Sequence, residues 1–256
     1  MLIAKDKTSL YTVRIYSEII YMTFMLRTKP VYFALHQKDK MATELSRQTE
    51  EIYKKVLNAN VSFQEALEIY KDWAPIYDDS AKILNHEGPS ILAKEVEKLF
   101  DEKKHALILD AAAGTGLLGL ELKNSGFHNL DALDASKEML EKAKEKNLYR
   151  NVVCDILGPN RLDIPDDTYD AVVSVGSFGP GHVDGSCLAE LIRIVKPDGY
   201  IVIVMSKELL DEEYGRDLLE IMDDHVSAGR WTVVSRRPVL RYTGVMDGMV
   251  LVHRIK

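Results

Sequence analysis

Cysteine is scarce in this chain of 256 residues: there are two, Cys154 and Cys187, on separate predicted elements, and they form neither a C-x-x-C pair nor a metal-ligand spacing. A disulfide scaffold is excluded, and reduced thiols in a cytoplasmic protein are the expectation. No basic stripe is present either. The 33 Lys and Arg against 40 Asp and Glu leave a formal net charge of −7 with a pI near 5.6, and the two signs are interspersed, so no nucleic-acid partner is expected. The histidines do not cluster with carboxylates at ligand spacing, so no metal is expected. A long hydrophobic run is also lacking. Apolar and aromatic residues crowd Leu10 to Leu35, yet Arg14, Glu18, Arg27 and Lys29 interrupt them. The longest charge-free stretch there, Ile19 to Leu26, is far short of the ~20 residues of a membrane helix, so no stable span is expected. It is marginal for a secretory signal, which takes ~7–15 apolar residues and a small-residue cleavage site. Residues 1–40 read as a poorly ordered leader, as a weak membrane-associating or targeting segment, or as an upstream extension of a working part that begins near Met41. The last reading is favoured.

What is present is apolar patterning. At 46% hydrophobic the chain can bury one large core, giving one main domain with appendages. Glu44 to Leu57 has a helical pattern. Ser62-Phe63-Gln64-Glu65 supplies a capping box for a second helix running to about Trp73. Gly88-Pro89 then punctuates, and Ile91, Leu92, Val96, Leu99 and Phe100 recur at helical spacing. Strands are predicted at Ala106–Asp110, Leu130–Asp134, Asn151–Cys154, Asp170–Val175 and Tyr200–Met205, with helices near Leu120, Ala143 and Leu191 among them. This alternation predicts an α/β fold with a parallel sheet covered by helices on both faces. A charged helix is expected over Lys207 to His225. Trp231–Arg236 and Met249–Arg254 follow as a terminal antiparallel hairpin.

The stretch Leu107 to Gly119 carries the chemistry. An apolar strand feeds Asp110, then the turn Ala112-Ala113-Gly114-Thr115-Gly116, then a helix opening at Leu117. Gly114 and Gly116 let the backbone turn sharply and approach a ligand, and the helix start points free N–H groups into that space. In parallel sheets ligands lie beyond the carboxyl ends of the strands, where Asp110, Asp134 and Asp155 fall along one rim. Any one of these acids alone is equally well explained as a turn cap.

With those acids, Asp110 to Gly116 resembles motif I of the class I S-adenosylmethionine-dependent methyltransferases, with Ala112 in the first glycine place. Leu133-Asp134-Ala135-Ser136 with Met139 resembles the second-strand motif, and Cys154-Asp155-Ile156 the third. Tyr169 to Ser174 resembles the fourth strand, and Leu191 to Gly199 the helix and turn before the fifth. Closer still is the methyltransferase-like family from the Williams–Beuren syndrome region, which Tyr70-Lys71-Asp72-Trp73-Ala74-Pro75-Ile76-Tyr77-Asp78 and Gly176-Ser177-Phe178-Gly179-Pro180-Gly181-His182-Val183 resemble. The resemblance implies a Rossmann-like, doubly wound, seven-stranded sheet, mostly parallel with a terminal antiparallel hairpin. It divides the chain into an extension over 1–40, a helical cap over 41–104 and a methyltransferase domain over 105–256, monomeric by expectation.

It also implies roles for residues. S-adenosyl-L-methionine would lie against Ala112, Gly114 and Gly116, with Asp110 toward its α-amino group and Asp134 on the ribose hydroxyls beside Ala135 and Met139. Asp155 and Ile156 would read the adenine, and Val175 would lie close by. Trp73 and Tyr77 either fold over the cofactor or anchor their helix to the core. Ser177 and Phe178 would line a substrate pocket, where His182 is the titratable group able to take a proton near neutral pH. No Asn-Pro-Pro-Tyr or Asp-Pro-Pro-Tyr follows the fourth strand, where Ser174-Val175-Gly176-Ser177 stands, and no Pro-Cys nucleophile is present. The expected acceptor is a small molecule or a protein side chain. Two alternatives stay open. Gly114-x-Gly116-x-x-Gly119 with Asp134 near the ~20-residue spacing of a ribose-binding acid fits an NAD(P)-dependent oxidoreductase; against it stand Asp110, Asp155, the Lys196-Pro197-Asp198-Gly199 turn and the terminal hairpin. The other is a non-catalytic protein that binds S-adenosylmethionine and serves as a partner.

Overall fold

The structure is a computed structural model that describes residues 44–101 and 103–256. The readings made for residues 1–40 lie outside the described residues. Three helices come first: α1 (Glu44–Val56), α2 (Phe63–Trp73) and α3 (Tyr77–Ile83), with a short 3-10 turn at Ala74–Ile76. The capping box forms as the sequence predicts, with Ser62 accepting from the Glu65 N–H and the Glu65 carboxylate accepting from the Ser62 N–H. Pro75 then breaks the run, so α2 and α3 present their aromatic residues in different directions.

The element order continues α4 (Gly88–Phe100), β1 (Ile108–Ala111), α5 (Leu117–Asn124), β2 (Leu130–Asp134), α6 (Lys137–Glu145), β3 (Asn151–Cys154), β4 (Tyr169–Val175), α7 (Leu188–Ile194), β5 (Val195–Ser206), α8 (Glu213–Ser227), β6 (Trp231–Val239) and β7 (Gly248–Ile255). The seven strands form one sheet in the order β3-β2-β1-β4-β5-β7-β6, parallel except for β7, which runs antiparallel to both β5 and β6. This is the doubly wound sheet that the alternation implied. Strand order reverses between β1 and β4, so the crevice beyond their carboxyl ends is where a ligand belongs.

Every residue of β1 is buried, because helices cover both faces. Leu109 and Ala111 join one core with α7, α8 and Trp231, whereas Ile108 joins the other with α4 and α5. Two departures from the sequence pattern are instructive. Helix α4, grouped by its position with the cap, packs on the sheet through Leu92, Val96 and Phe100. The charged segment near 207–225 is two pieces, a 3-10 turn at Glu208–Asp211 and then α8, because extended backbone at Glu212 folds the turn back against Gly215.

Helices α1–α3 hold together around Trp73. Its indole N–H donates to Ser80 Oγ at 2.9 Å, and Ser80 is bonded to the buried Thr49 hydroxyl at 2.8 Å. Tyr53, Tyr70 and Tyr77 pack around the indole, and Met139 from α6 joins the cluster and seats these helices on the sheet domain.

Candidate active site

Beyond β1 the backbone turns through Ala112, Gly114 and Gly116, with φ of 58°, 55° and 86°. All three are left-handed, and the middle of the turn opens toward β2. The Gly114 N–H donates to Asp134 Oδ2 and the Ser136 N–H to Asp134 Oδ1, each at 2.8 Å. Each carboxylate oxygen is thereby fixed by one backbone donor and keeps lone pairs for a ligand. Burial raises the Asp134 pKa, and the backbone N–H groups act the other way. At Ala112 a β-carbon occupies the left-handed region, which costs roughly 1–2 kcal/mol, while glycine costs about 0.4–1 kcal/mol through the unfolded chain. Ala112→Gly is therefore expected to raise stability by up to about 1 kcal/mol in urea titrations; a loss would contradict the strain.

A cavity of about 110 Å³ opens in front of this turn. One wall is Ala112, Gly114, Leu133, Asp134, Ala135, Ser136, Met139 and Val175. Phe63, Ala66, Leu67, Tyr70 and Tyr77 of α2 and α3 face it, and Ser177, Gly181, His182 and Val183 close the third side. A β-carbon on Gly114 would meet nothing within 4 Å, so the turn borders open space. Gly181, with φ of 71°, lets the loop after β4 press on Val61, where a β-carbon would stand 2.2 Å from the Val61 carbonyl oxygen. Loop and cap thus meet over the cavity.

The cap is fastened to the turn by Asp78. Thr115 Oγ1 donates to Asp78 Oδ1 at 2.5 Å, Lys146 Nζ pairs with Asp78 Oδ2 at 2.8 Å, and the same ammonium donates to the Thr115 carbonyl at 2.5 Å. Thr115 is buried but Asp78 and Lys146 are partly exposed, so each contact contributes on the order of 1 kcal/mol. Asp78→Ala should weaken binding of a ligand on the turn by about five- to ten-fold although Asp78 does not line the cavity; in a double-mutant cycle with Lys146→Met, additivity would show the latch absent.

Several sequence expectations fall elsewhere. Asp110 is 1% exposed and does not line the cavity: alternation along β1 turns it to the Ile108 side, where the Tyr149 hydroxyl donates to its Oδ2 at 2.6 Å. Burial pushes its pKa up to about 7, with the Asp134 charge adding and the Tyr149 bond opposing, while Oδ1 has no partner among the described residues. Trp73 is 3% exposed and off the cavity, so it anchors the cap; Tyr77 faces the cavity. Phe178, at 3% exposure, packs in the core under its loop. Gly116 lies behind the lining as the N-cap of α5. Asp155 closes its own turn, accepting from the Ile156 N–H at 2.7 Å, which leaves Ile156 45% exposed and brings Leu157 to the cavity instead.

His182 does line the cavity. Its Nδ1 lies 2.8 Å from the Pro180 carbonyl oxygen, which only accepts, so Nδ1 carries the proton and Nε2 presents a lone pair. That lone pair accepts from the Tyr70 hydroxyl at 3.2 Å. Burial lowers the His182 pKa and the carbonyl bond raises it, so the ring is neutral near pH 7. Tyr70 stacks on Trp73, with ring centroids 5.9 Å apart. Nothing in the sequence pairs Tyr70 with a residue 112 positions away.

A methyltransferase-domain family profile matches residues 108–199, which run from β1 to the turn inside β5. Human methyltransferase-like protein 27 is 33% identical over 178 residues, 69% of this chain and 72% of that one. The chain belongs to the class I S-adenosylmethionine-dependent methyltransferases. Demethylmenaquinone methyltransferase of Streptomyces avermitilis is 31% identical over 141 residues, covering 54% of this chain and 59% of that one. Two solved structures share the fold: the cyclase SpnF, with a TM-score of 0.58 at 15% identity over 76% of this chain and 97% of that one, and a Methanococcus maripaludis protein assigned as an S-adenosylmethionine-dependent methyltransferase, with 0.51 at 22% over 71% and 92%. At those identities they speak to fold alone. The methyltransferase therefore uses S-adenosylmethionine, and the oxidoreductase reading falls. Its third fingerprint glycine has a local explanation: a β-carbon on Gly119 would stand 2.3 Å from the Tyr149 hydroxyl. Among the described residues no helix is long and apolar enough to cross a membrane.

Proposed function

We propose that this methyltransferase transfers a methyl group to a small molecule held between the cap and the loop after β4. The observation that carries this reading is the cavity itself: α2 bounds its acceptor side on one hand and Gly181 and His182 on the other, and its aromatic and apolar lining suits a compact ligand. The residues on the turn side fit the cofactor. The open space in front of Gly114 suits its amino-acid end, the lone pairs of Asp134 suit a pair of hydroxyls, and Leu133, Met139 and Leu157 offer an apolar shelf. When bound, the cofactor supplies an electrophilic methyl on sulfur. The protein's work is then to align the acceptor with that methyl and exclude water. Tyr77 and the α2 face cover the site, Asp78 fastens them to the turn, and His182 holds an unprotonated nitrogen, shared with the Tyr70 hydroxyl, where a proton can be received.

The test uses cofactor carrying a labelled methyl, with the full chain in separate metabolite and protein extracts. Label is expected in a small molecule that separates from the cofactor by chromatography, and that product is expected to be absent with Asp134→Ala. Label confined to precipitated protein would overturn the proposal.

A further inference from the structure

We propose that the acceptor is an uncharged aromatic or enolic hydroxyl compound, selected by Tyr70, His182 and Ser177 acting together. This rests on the methyl-transfer reading of the same cavity and names the chemistry of its other half.

Charge makes the first selection. None of the residues lining the cavity is Lys or Arg, and Asp134, their sole carboxylate, is committed to the cofactor side. A carboxylate or phosphate acceptor would be buried without a counter-ion, which is strongly unfavourable. Hydrogen-bond polarity makes the second. The Ser174 hydroxyl donates to the Ala111 carbonyl at 2.7 Å, so its 2.6 Å contact with Ser177 uses the Ser177 proton. Ser177 therefore faces the cavity with lone pairs only, as does His182 Nε2, whereas Tyr70 brings an O–H. A hydroxyl pairs with Nε2 through its proton and with Tyr70 through its oxygen, while Ser177, whose own proton is committed to Ser174, adds no donor that could hold an anion. An aromatic amine donates to Nε2, but its lone pair is delocalised into the ring and accepts poorly from Tyr70.

Acidity makes the third. Burial holds the His182 pKa below its ordinary 6.5, so the ring is a weak base. A phenol near ~10 is within its reach during the reaction, while an alkyl alcohol with acidity close to water's ~15.7 is not. The apolar and aromatic faces of Phe63, Leu67 and Tyr77 suit a flat ring. In the free site the Tyr70 hydroxyl donates to Nε2, oxygen and nitrogen 3.2 Å apart. An entering hydroxyl takes over both partners. As the acceptor oxygen bonds to the methyl carbon, the carbon–sulfur bond breaks with its electron pair left on sulfur. The acceptor's proton passes to Nε2, and the imidazolium then releases it to water. Trp73, stacked on Tyr70 and tied through Ser80 to Thr49, fixes the tyrosine that makes this selection.

The experiment is calorimetry on the full chain, first with S-adenosylhomocysteine, then with 4-ethylphenol, 4-ethylbenzoate and 4-ethylaniline titrated into the adenosylhomocysteine-loaded protein. The phenol is expected to bind about ten-fold or more tightly than either analogue, because each analogue leaves one cavity group unpaired. Tyr70→Phe and His182→Gln should each erase most of that preference while adenosylhomocysteine affinity stays within about two-fold, which also reports that the variants are folded. Equal or tighter binding of the benzoate or aniline, no binding of any probe, or a preference untouched by both variants would overturn the proposal with the cofactor reading intact. Failure of adenosylhomocysteine to bind would remove the reading beneath it as well.

Discussion

Asp134→Ala is expected to lower affinity for S-adenosylhomocysteine by at least about 100-fold, a loss on the order of 3 kcal/mol. The carboxylate has two tasks in one geometry. It ties the glycine-rich turn to β2 through the Gly114 and Ser136 N–H groups, and it keeps lone pairs directed at the cavity. Alanine removes both, leaving two backbone donors at the edge of the site and no acceptor for a diol. Asparagine is no substitute, because its amide nitrogen cannot accept from whichever N–H it faces. Asp134→Asn should therefore fall closer to alanine than to wild type in calorimetry. Near-wild-type binding by either variant would show that the cofactor does not rest on this carboxylate.

The second large effect lies far from the site, in the stability of the chain against acid. His253 on β7 is fully buried, stacked on Trp231 with centroids 4.1 Å apart, and neither ring nitrogen has a hydrogen-bond partner among the described residues. Burial lowers its pKa to about 4, with Arg236 and His225 adding to the effect and Asp223 opposing it. Its ordinary value is 6.5. The unfolded chain therefore binds a proton more readily than the fold does, and stability declines as pH falls from 6.5 toward 4. At 1.36 kcal/mol per pKa unit the decline approaches about 3 kcal/mol. Asp110 works in the opposite sense. With a folded pKa of about 7 against an ordinary 3.8, it takes up a proton on folding and adds stability as pH falls from 7 toward 4. The two largely offset each other, so the wild-type curve of stability against pH should be shallow over that range. His253→Phe keeps the stack on Trp231 and removes one partner of this balance. In urea titrations the variant should gain on wild type steadily from pH 7 to pH 5, by about 2 kcal/mol at the lower value. A difference that stays constant with pH would show that His253 does not titrate in this way.

The sheet was legible in the sequence because its signals are local: short apolar runs ending in Asp110, Asp134 and Cys154, and a turn whose glycines adopt the backbone angles that glycine favours. Asp134 was legible for the same reason, as an acid at a strand end beside the turn that binds it. What stayed hidden depends on partners distant in the chain. Asp110 and Asp134 look alike by position, but Asp110 lies one residue before the end of β1, where strand alternation turns it from the cavity and Tyr149, arriving from the loop before β3, meets it. Trp73 and Tyr77 belong to one motif, and the break at Pro75 turns one into the core and the other to the cavity. Ile156 and Leu157 exchange places because Asp155 closes a turn on its own neighbour. The Tyr70–His182 pair joins a cap helix to a loop beyond β4, a contact that no local spacing encodes.

The crowding of Gly119 against Tyr149 carries a consequence for how this lineage can change. A side chain at position 119 would meet the tyrosine hydroxyl at 2.3 Å and the ring carbon bearing it at 2.5 Å, so removing the hydroxyl alone opens too little space. A side chain at position 119 therefore requires the ring at 149 to swing aside or be lost, and with it the bond to Asp110. Descendants that took the steps in the reverse order would pass through an overpacked ancestor, destabilised by about 1–3 kcal/mol, and the two positions should therefore covary among homologues, with a ring at 149 found mostly beside glycine at 119.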